Sequence, residues 1–305
     1  MASTSHAEAV VRAHAKINLC LEVIGRRADG YHEVATVLQT IDLADRLRMV
    51  RADHVRLQCH GMEVESDNLI LRAASMLKAR LGVRWGCEIT CWKRIPIAAG
   101  LGGGSADAAA TLVGLNRLWD LSLTRAELME LASEIGSDVP FAVHGGAALA
   151  RGTGTALDPL PDAGLHWLVL VPLEAGSPRK SAEMYRALGV ADFTSGAAAQ
   201  RLADSLARGT LQYGDVGSAF TRPALQRWPE VGRAMSALQS TNPLGVSVSG
   251  AGPSVFALYQ SRRDADRACA TARAAGIHAS VHRFALQDDS WVGSDVSSGN
   301  GAAAR

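Results

Sequence analysis

Cysteine is scarce and scattered: Cys20, Cys59, Cys87, Cys91 and Cys269 are the five in 305 residues. Their number is odd and no Cys-x-x-Cys occurs, which argues against a disulfide framework and a cysteine-based zinc site. The thiols read as small buried apolar groups in a reducing compartment. His278 and His282 fall in the alternating segment HASVHRF, which reads as a strand and not as a ligand pair. An excess of charge of one sign is also missing. Lys and Arg total 31 against 30 Asp and Glu, a net +1, which excludes the basic domain or stripe that grips nucleic acid. No apolar run reaches the ~20 residues of a membrane span; the longest runs from about Trp167 to Leu173. The opening, MASTSHAEAVV, has no basic segment followed by an apolar one, so no secretory leader is expected. No internal repeat is visible. These absences predict a soluble, cytoplasmic protein with neither nucleic acid nor membrane as partner.

Apolar residues make up 48% and charged residues 20%, which excludes intrinsic disorder. The length suggests two domains or one bilobal unit. Residues 10–50 alternate like half-buried strands (VVRAHA, INLCLEVIG, HEVATVLQTIDL, RLRMV), with a turn at Asp29-Gly30. A helix is predicted after Asp67, read as its N-cap, with Gly82 as its stop. Another is predicted from about Ser105 to Leu118, and a third from the capping box Thr124-x-x-Glu127. The C-terminal half reads as a buried strand HWLVLVPL, helices near Ser181–Leu188, Gln200–Arg208 and Pro223–Gln239, then strand, strand, helix, strand. Residues 287–305 read as a disordered tail. The expectation is an α+β, bilobal fold, with an N-terminal lobe over 1–150 and a C-terminal lobe over 151–286 that is ferredoxin-like by its ββαβ ending.

The strongest local signal is Pro96-Ile97-Ala98-Ala99-Gly100-Leu101-Gly102-Gly103-Gly104-Ser105-Ala106, running into an alanine-rich helix. Backbone without Cβ atoms folds tightly against a ligand, and the helix behind offers free N–H groups and the positive end of its dipole. Both favour phosphate. The P-loop pattern is excluded because Ser105, not Lys, follows Gly104. A Rossmann fingerprint would open the chain, and protein-kinase landmarks are absent. A second cluster, Ser249-Gly250-Ala251-Gly252-Pro253-Ser254, reads equally as a tight hairpin or as a ligand loop.

In this order the chain carries Ala15-Lys16-Ile17-Asn18-Leu19, Asp29-Gly30-Tyr31-His32, Asp67-Asn68-Leu69, the loop 96–106, Gly136-Ser137-Asp138-Val139-Pro140-Phe141, and Ser249–Gly252. Together they resemble the GHMP family of small-molecule kinases. The resemblance implies an N-terminal lobe like that of ribosomal protein S5, a ferredoxin-like C-terminal lobe, and ATP meeting a small alcohol in the cleft between them. Lys-x-Asn with Asp-Gly-Tyr-His points to a member whose alcohol carries a cytidyl diphosphate. A monomer or weak homodimer is expected. The stretch 172–185, PLEAGSPRKSAEMY, is more polar than the family's pattern; its hydroxyl aligns with Ser181.

The same resemblance implies roles. Asp138, otherwise a turn or capping residue, would be the catalytic carboxylate. Lys16, on a strand face that could equally meet solvent, would pair with it, and Asn18 and Ser181 would bind substrate. Tyr31 and His32, blandly an exposed loop pair, would hold the pyrimidine by stacking and by its polar edge. The loop 96–106 would bind ATP, with Ser105 a ligand of Mg2+. A GHMP-type kinase for a different alcohol, or a non-catalytic nucleotide-binding module, are the alternatives.

Overall fold

The alternation over residues 10–50 builds two long strands and not four short ones. In the computed structural model, which describes residues 8–65, 67–175 and 180–286, β1 (Glu8–Arg26) and β2 (His32–Ala52) form one antiparallel hairpin. Gly30 closes it at φ +87°. Register shifts at His14/Lys16, Asn18/Cys20 and Val23/Gly25 keep each strand continuous through local bulges. From Ala15 to Val23 both faces of β1 are buried, so the face bearing Lys16 and Asn18 does not meet solvent.

β3 (Arg56–His60) is followed by α1 (Leu69–Arg80) and β4 (Gly86–Trp92). The N-cap of α1 is Asn68, not Asp67: its side-chain oxygen accepts the Ile70 N–H at 2.9 Å. Asp67 stands one residue too early to reach that donor. Gly82, at φ +61°, ends α1 as expected. The glycine loop opens α2 (Gly103–Leu118), two residues ahead of the expected start. Its small residues allow close packing. A Cβ on Gly114 would sit 2.6 Å from Met49 Sδ, and Ala106, Ala108, Ala109 and Ala110 are all buried. α3 (Arg125–Ser133) carries the capping box, and α4 (Val139–His144) follows Asp138 directly. β5 (Ala147–Gly152) and β6 (Ala156–Leu160) extend the first sheet past residue 150.

The second sheet begins at β7 (Trp167–Val171). Then come α5 (Lys180–Arg186), α6 (Ala197–Ala207), β8 (Gly217–Ser218), α7 (Thr221–Arg227) and α8 (Pro229–Gln239). The single helix expected over 223–239 is two, because Trp228 is extended (φ −127°, ψ 100°) ahead of Pro229. β9 (Gly245–Val248), β10 (Val255–Tyr259), α9 (Arg262–Ala274) and β11 (Ser280–Arg283) finish the described chain. The order β11-β7-β10-β9, all antiparallel, is the split βαβ arrangement. The first sheet runs β3-β4-β2-β1-β8, with β5 also on β2 and β6 on β5. The tail expected over 287–305 lies outside the described residues, as do residues 1–7.

Several contacts join the sheets. β8, a strand of the first sheet through its parallel pairing with β1 at Cys20 and Leu21, sends Ser218 Oγ to the Gly250 carbonyl at 3.2 Å. Asp42 on β2 lies 3.0 Å from His282 Nδ1 on β11. Ile41 bridges Phe284. The two glycine-rich loops meet backbone to backbone: the Ser254 N–H donates to the Ala99 carbonyl at 3.3 Å, and Ser249 Oγ donates to the Gly100 carbonyl at 2.9 Å. Gly100 adopts φ +86°, and a Cβ there would lie 2.3 Å from the Ser249 carbonyl oxygen and 2.8 Å from that of Gly252. Gly100→Ala is therefore expected to destabilise the fold by about 2–4 kcal/mol, a left-handed backbone plus overpacking. Gly209→Ala, at φ +75° with nothing within 4 Å, should show the backbone cost of about 1–2 kcal/mol alone. Chemical denaturation of both variants checks the difference.

Candidate active site

Strand β1 carries Lys16 and Asn18 into a cavity of about 640 Å³ between the sheets. Lys16 Nζ donates to Asn18 Oδ1 at 2.8 Å and lies 3.4 Å from Asp138 Oδ2. Asn18 Nδ2 donates to Thr36 Oγ1 at 2.8 Å, and Thr36 Oγ1 donates to the Cys20 carbonyl at 2.7 Å. This chain of bonds fixes the amide so that its oxygen faces the ammonium. Lys16 itself is held from the backbone, its N–H donating to the Leu101 carbonyl at 3.0 Å. Asp138 stands immediately before α4, yet its side chain makes no cap hydrogen bond, and it faces the cavity with Ser137. The turn-or-cap reading of Asp138 thus does not describe its side chain.

Every residue from Ile95 to Ser105 lines the same cavity, so the loop and the Lys16–Asp138 pair share one space. The left-handed positions of the loop are Ala98 (φ 54°), Gly100 and Gly102 (φ 70°). Gly103 is already helical. A Cβ on Gly102 would approach Lys16 Cγ to 3.0 Å, and one on Gly103 would meet Ile95 Cγ2 at 2.9 Å. The first N–H groups of α2 have no partner within the helix and point their dipole toward the cavity. Ser105 lies in this first turn.

Behind the loop is a buried ionic cluster that local sequence does not announce. Lys93 Nζ lies 2.5 Å from Asp45 Oδ2 and 2.5 Å from Asp107 Oδ2. Asp45 Oδ1 also accepts the N–H groups of Arg94 and Ile95. Burial opposes the charge of Lys93, but the two carboxylates together raise its pKa to about 12. Burial pushes the Asp107 carboxyl upward, aided by Asp45 and resisted by Lys93. The cluster pins the chain entering the loop. Asp45 and Lys93 are far apart in sequence, and only the β2–β4 pairing brings them together.

Ser181 is exposed at the start of α5 and lines the cavity, and so do Lys180 beside it and Tyr185 one turn on. The sequence reading named Ser181 alone. Helical spacing from Ser181 points to Tyr185, while Lys180 carried no sign of burial. His32 packs on Tyr185 with ring centroids 5.0 Å apart, and Tyr185 meets Phe220 edge-on at 4.8 Å. Burial, then the charge of Arg26, lowers the His32 pKa and favours the neutral ring. Tyr31 is 67% exposed at the hairpin tip and does not line the cavity. Among the described residues no cluster of three His, Cys, Asp or Glu could hold a metal ion, and no helix is long and apolar enough to cross a membrane.

Two family models match the chain: the GHMP kinases N terminal domain over residues 68–146 and the GHMP kinases C terminal domain over 211–278. The chain is 43% identical over 270 residues to a 4-diphosphocytidyl-2-C-methyl-D-erythritol kinase of Pelotomaculum thermopropionicum, covering 86% of this chain and 92% of that one. A kinase of the same name from Bacillus pumilus is 43% identical over 255 residues, covering 82% and 87%. A crystal structure of 4-(cytidine 5'-diphospho)-2C-methyl-D-erythritol kinase superposes with a TM-score of 0.78 at 34% identity, covering 90% of this chain and 98% of that one. The homoserine kinase of Cytophaga hutchinsonii shares the fold at 20% identity and TM-score 0.70, covering 94% and 97%. With motifs, fold and site geometry in agreement with these likenesses, the chain belongs to the GHMP kinase family.

Proposed function

We propose that the protein is an ATP-dependent kinase that phosphorylates the 2-hydroxyl of 4-diphosphocytidyl-2-C-methyl-D-erythritol, a step toward isoprenoid precursors outside the mevalonate route. The observation that carries this reading is the Lys16–Asp138 pair, 3.4 Å apart, in one cavity with the glycine loop. Phosphoryl transfer passes through a loose transition state, so positioning and charge neutralisation matter most. Asp138 orients the acceptor hydroxyl and takes its proton as the oxygen–phosphorus bond forms and the bond to ADP breaks. Lys16 pairs with Asp138 and faces the charge gathering on the transferred group. Asn18, fixed through Thr36, binds the alcohol. The backbone of the loop from Pro96 to Ala106 and the first turn of α2 hold the ATP phosphates.

Ser105 offers a hydroxyl oxygen, a donor suited to magnesium, beside the loop. With no group of three or more His, Cys, Asp or Glu side chains able to hold a metal among the described residues, Mg2+ would lean on Ser105 and the ATP phosphates, as that ion commonly does, and would supply charge neutralisation there. On this reading the protein works in the cytoplasm, as a monomer or weak homodimer. The cytidine ring lies against His32, with Tyr31 over its outer face. A neutral His32 presents one donor and one acceptor to the base, so acidification, not alkalinisation, removes this readout.

Asp138→Asn is expected to fold and to bind ATP normally while kcat falls by roughly 10²–10⁴-fold, the usual loss for a positioned base. Steady-state assays with calorimetric ATP titration check this, and a near-normal kcat would overturn the role. Tyr31→Ala should raise the KM for the cytidyl substrate by about one to two decades, the scale of base–aromatic stacking, with ATP little affected. Tyr31→Phe should be mild, and His32→Ala should narrow the preference for cytosine over uracil. An unchanged KM in both alanine variants would point instead to another alcohol.

A further inference from the structure

Lys180, the first residue of α5, is 4% exposed, an unusual state for a lysine. Its Nζ donates to the Gly252 carbonyl in the second glycine-rich loop, and its side chain lines the cavity with Lys16 and Asp138. The charged groups that act on it are Lys16 from β1 and Asp138 ahead of α4. Asp138 is already paired with Lys16. An ammonium carries three donors, and a peptide carbonyl is a neutral partner. Burying a cation without its own counter-ion is costly, so such a group marks a place where a ligand brings the anion. Burial, then the charge of Lys16, lowers its pKa to about 8, with Asp138 pulling the other way.

We infer that Lys180 is a second cation of the phosphoryl-transfer site, its ammonium receiving a phosphate oxygen alongside Lys16. The inference rests on the kinase reading above. The ligand chemistry is a phosphate oxygen. It comes either from the phosphoryl group in transfer or from the diphosphate of the substrate. By formal charge the three groups Lys16, Asp138 and Lys180 sum to one positive charge, which a phosphate oxygen would balance. Tyr185, on the same helix, is pushed up to about 12 by burial and then by Asp138, and stays neutral over the working range.

The test is Lys180→Gln, which keeps a donor for the Gly252 carbonyl and removes the charge; Lys180→Met replaces it should the glutamine variant not fold. In the unaltered protein kcat/KM should fall as pH rises through about 8, where Lys180 loses its proton. In the variant, activity should drop roughly 10–100-fold, the scale of losing one charge-stabilising group, and this alkaline limb should vanish. A loss confined to kcat assigns the oxygen to the transferring phosphoryl group, and one confined to the KM of the cytidyl substrate assigns it to that substrate's diphosphate. Unchanged activity overturns the inference. So does a loss with the alkaline limb unmoved, which is how a merely structural amine would behave. Should the unaltered protein not turn over the cytidyl substrate, the function reading falls. Binding of inorganic pyrophosphate at saturating ADP then decides: at least fivefold weaker binding by Lys180→Gln sustains the inference, and equal binding overturns it.

Discussion

At position 100 two stretches of backbone come closer than any side chain would allow. The Gly100 carbonyl accepts from Ser249 Oγ, and the space a Cβ would need is filled by the carbonyl oxygens of Ser249 and Gly252. Much of the site depends on this approach. It sets the first glycine loop against the second, so the phosphate-facing backbone of one sheet and the Gly250–Gly252 turn of the other enclose one cavity. The next left-handed glycine, Gly102, lets the stem of Lys16 pass beneath the loop, and the Leu101 carbonyl holds the Lys16 backbone from above. The ammonium that faces Asp138 is thus placed by the glycine loop. On the proposed function, nucleotide binding and acceptor activation share a single mechanical support.

That sharing explains why the second glycine cluster could be read equally as hairpin or ligand loop. It is a tight turn, and two of its residues, Gly250 and Ala251, line the cavity. The Ser249 carbonyl accepts the Gly252 N–H at 2.9 Å between β9 and β10. The carbonyls of the turn meet Gly100, Ser218 and Lys180. A turn engaged by three other elements serves as a joint between the sheets.

Local chemistry was legible in the sequence, and long-range chemistry was not. The capping box at Thr124, the stop at Gly82 and the hairpin at Asp29-Gly30 follow from residues a few positions apart. The sharing of one cavity by Lys16, Asn18, Asp138 and the loop was implied by the resemblance to the GHMP family. Four alternating segments in place of two strands is an error of bulges, because a register shift breaks the parity of a pattern without ending the strand. The cluster of Lys93, Asp45 and Asp107 was invisible because it needs the β2–β4 pairing and the first turn of α2 at once. Lys180 was passed over for Ser181, since a lysine at a helix start in a polar stretch ordinarily faces water.

The two charge clusters divide the labour by arithmetic. Around Lys93 two carboxylates meet one ammonium, within 2.5 Å, and both are engaged by it. Such a group has no attraction for phosphate, and its strong internal pairing suits it to fixing the chain that enters the loop. Around Asp138 the Lys16 ammonium stands at a looser 3.4 Å, and a second ammonium, Lys180, lines the same cavity. There the excess is positive, the partially positive end of α2 adds to it, and the cavity opens beside it. An anionic ligand therefore finds its complement at Lys16 and Lys180, while Asp107, which lines the same cavity, is held in its pairing with Lys93. Proximity of like charges is costly at low dielectric. The structure tolerates Lys16 and Lys180 in one cavity because Asp138 lies between their demands and because the reaction the site is built for brings further negative charge.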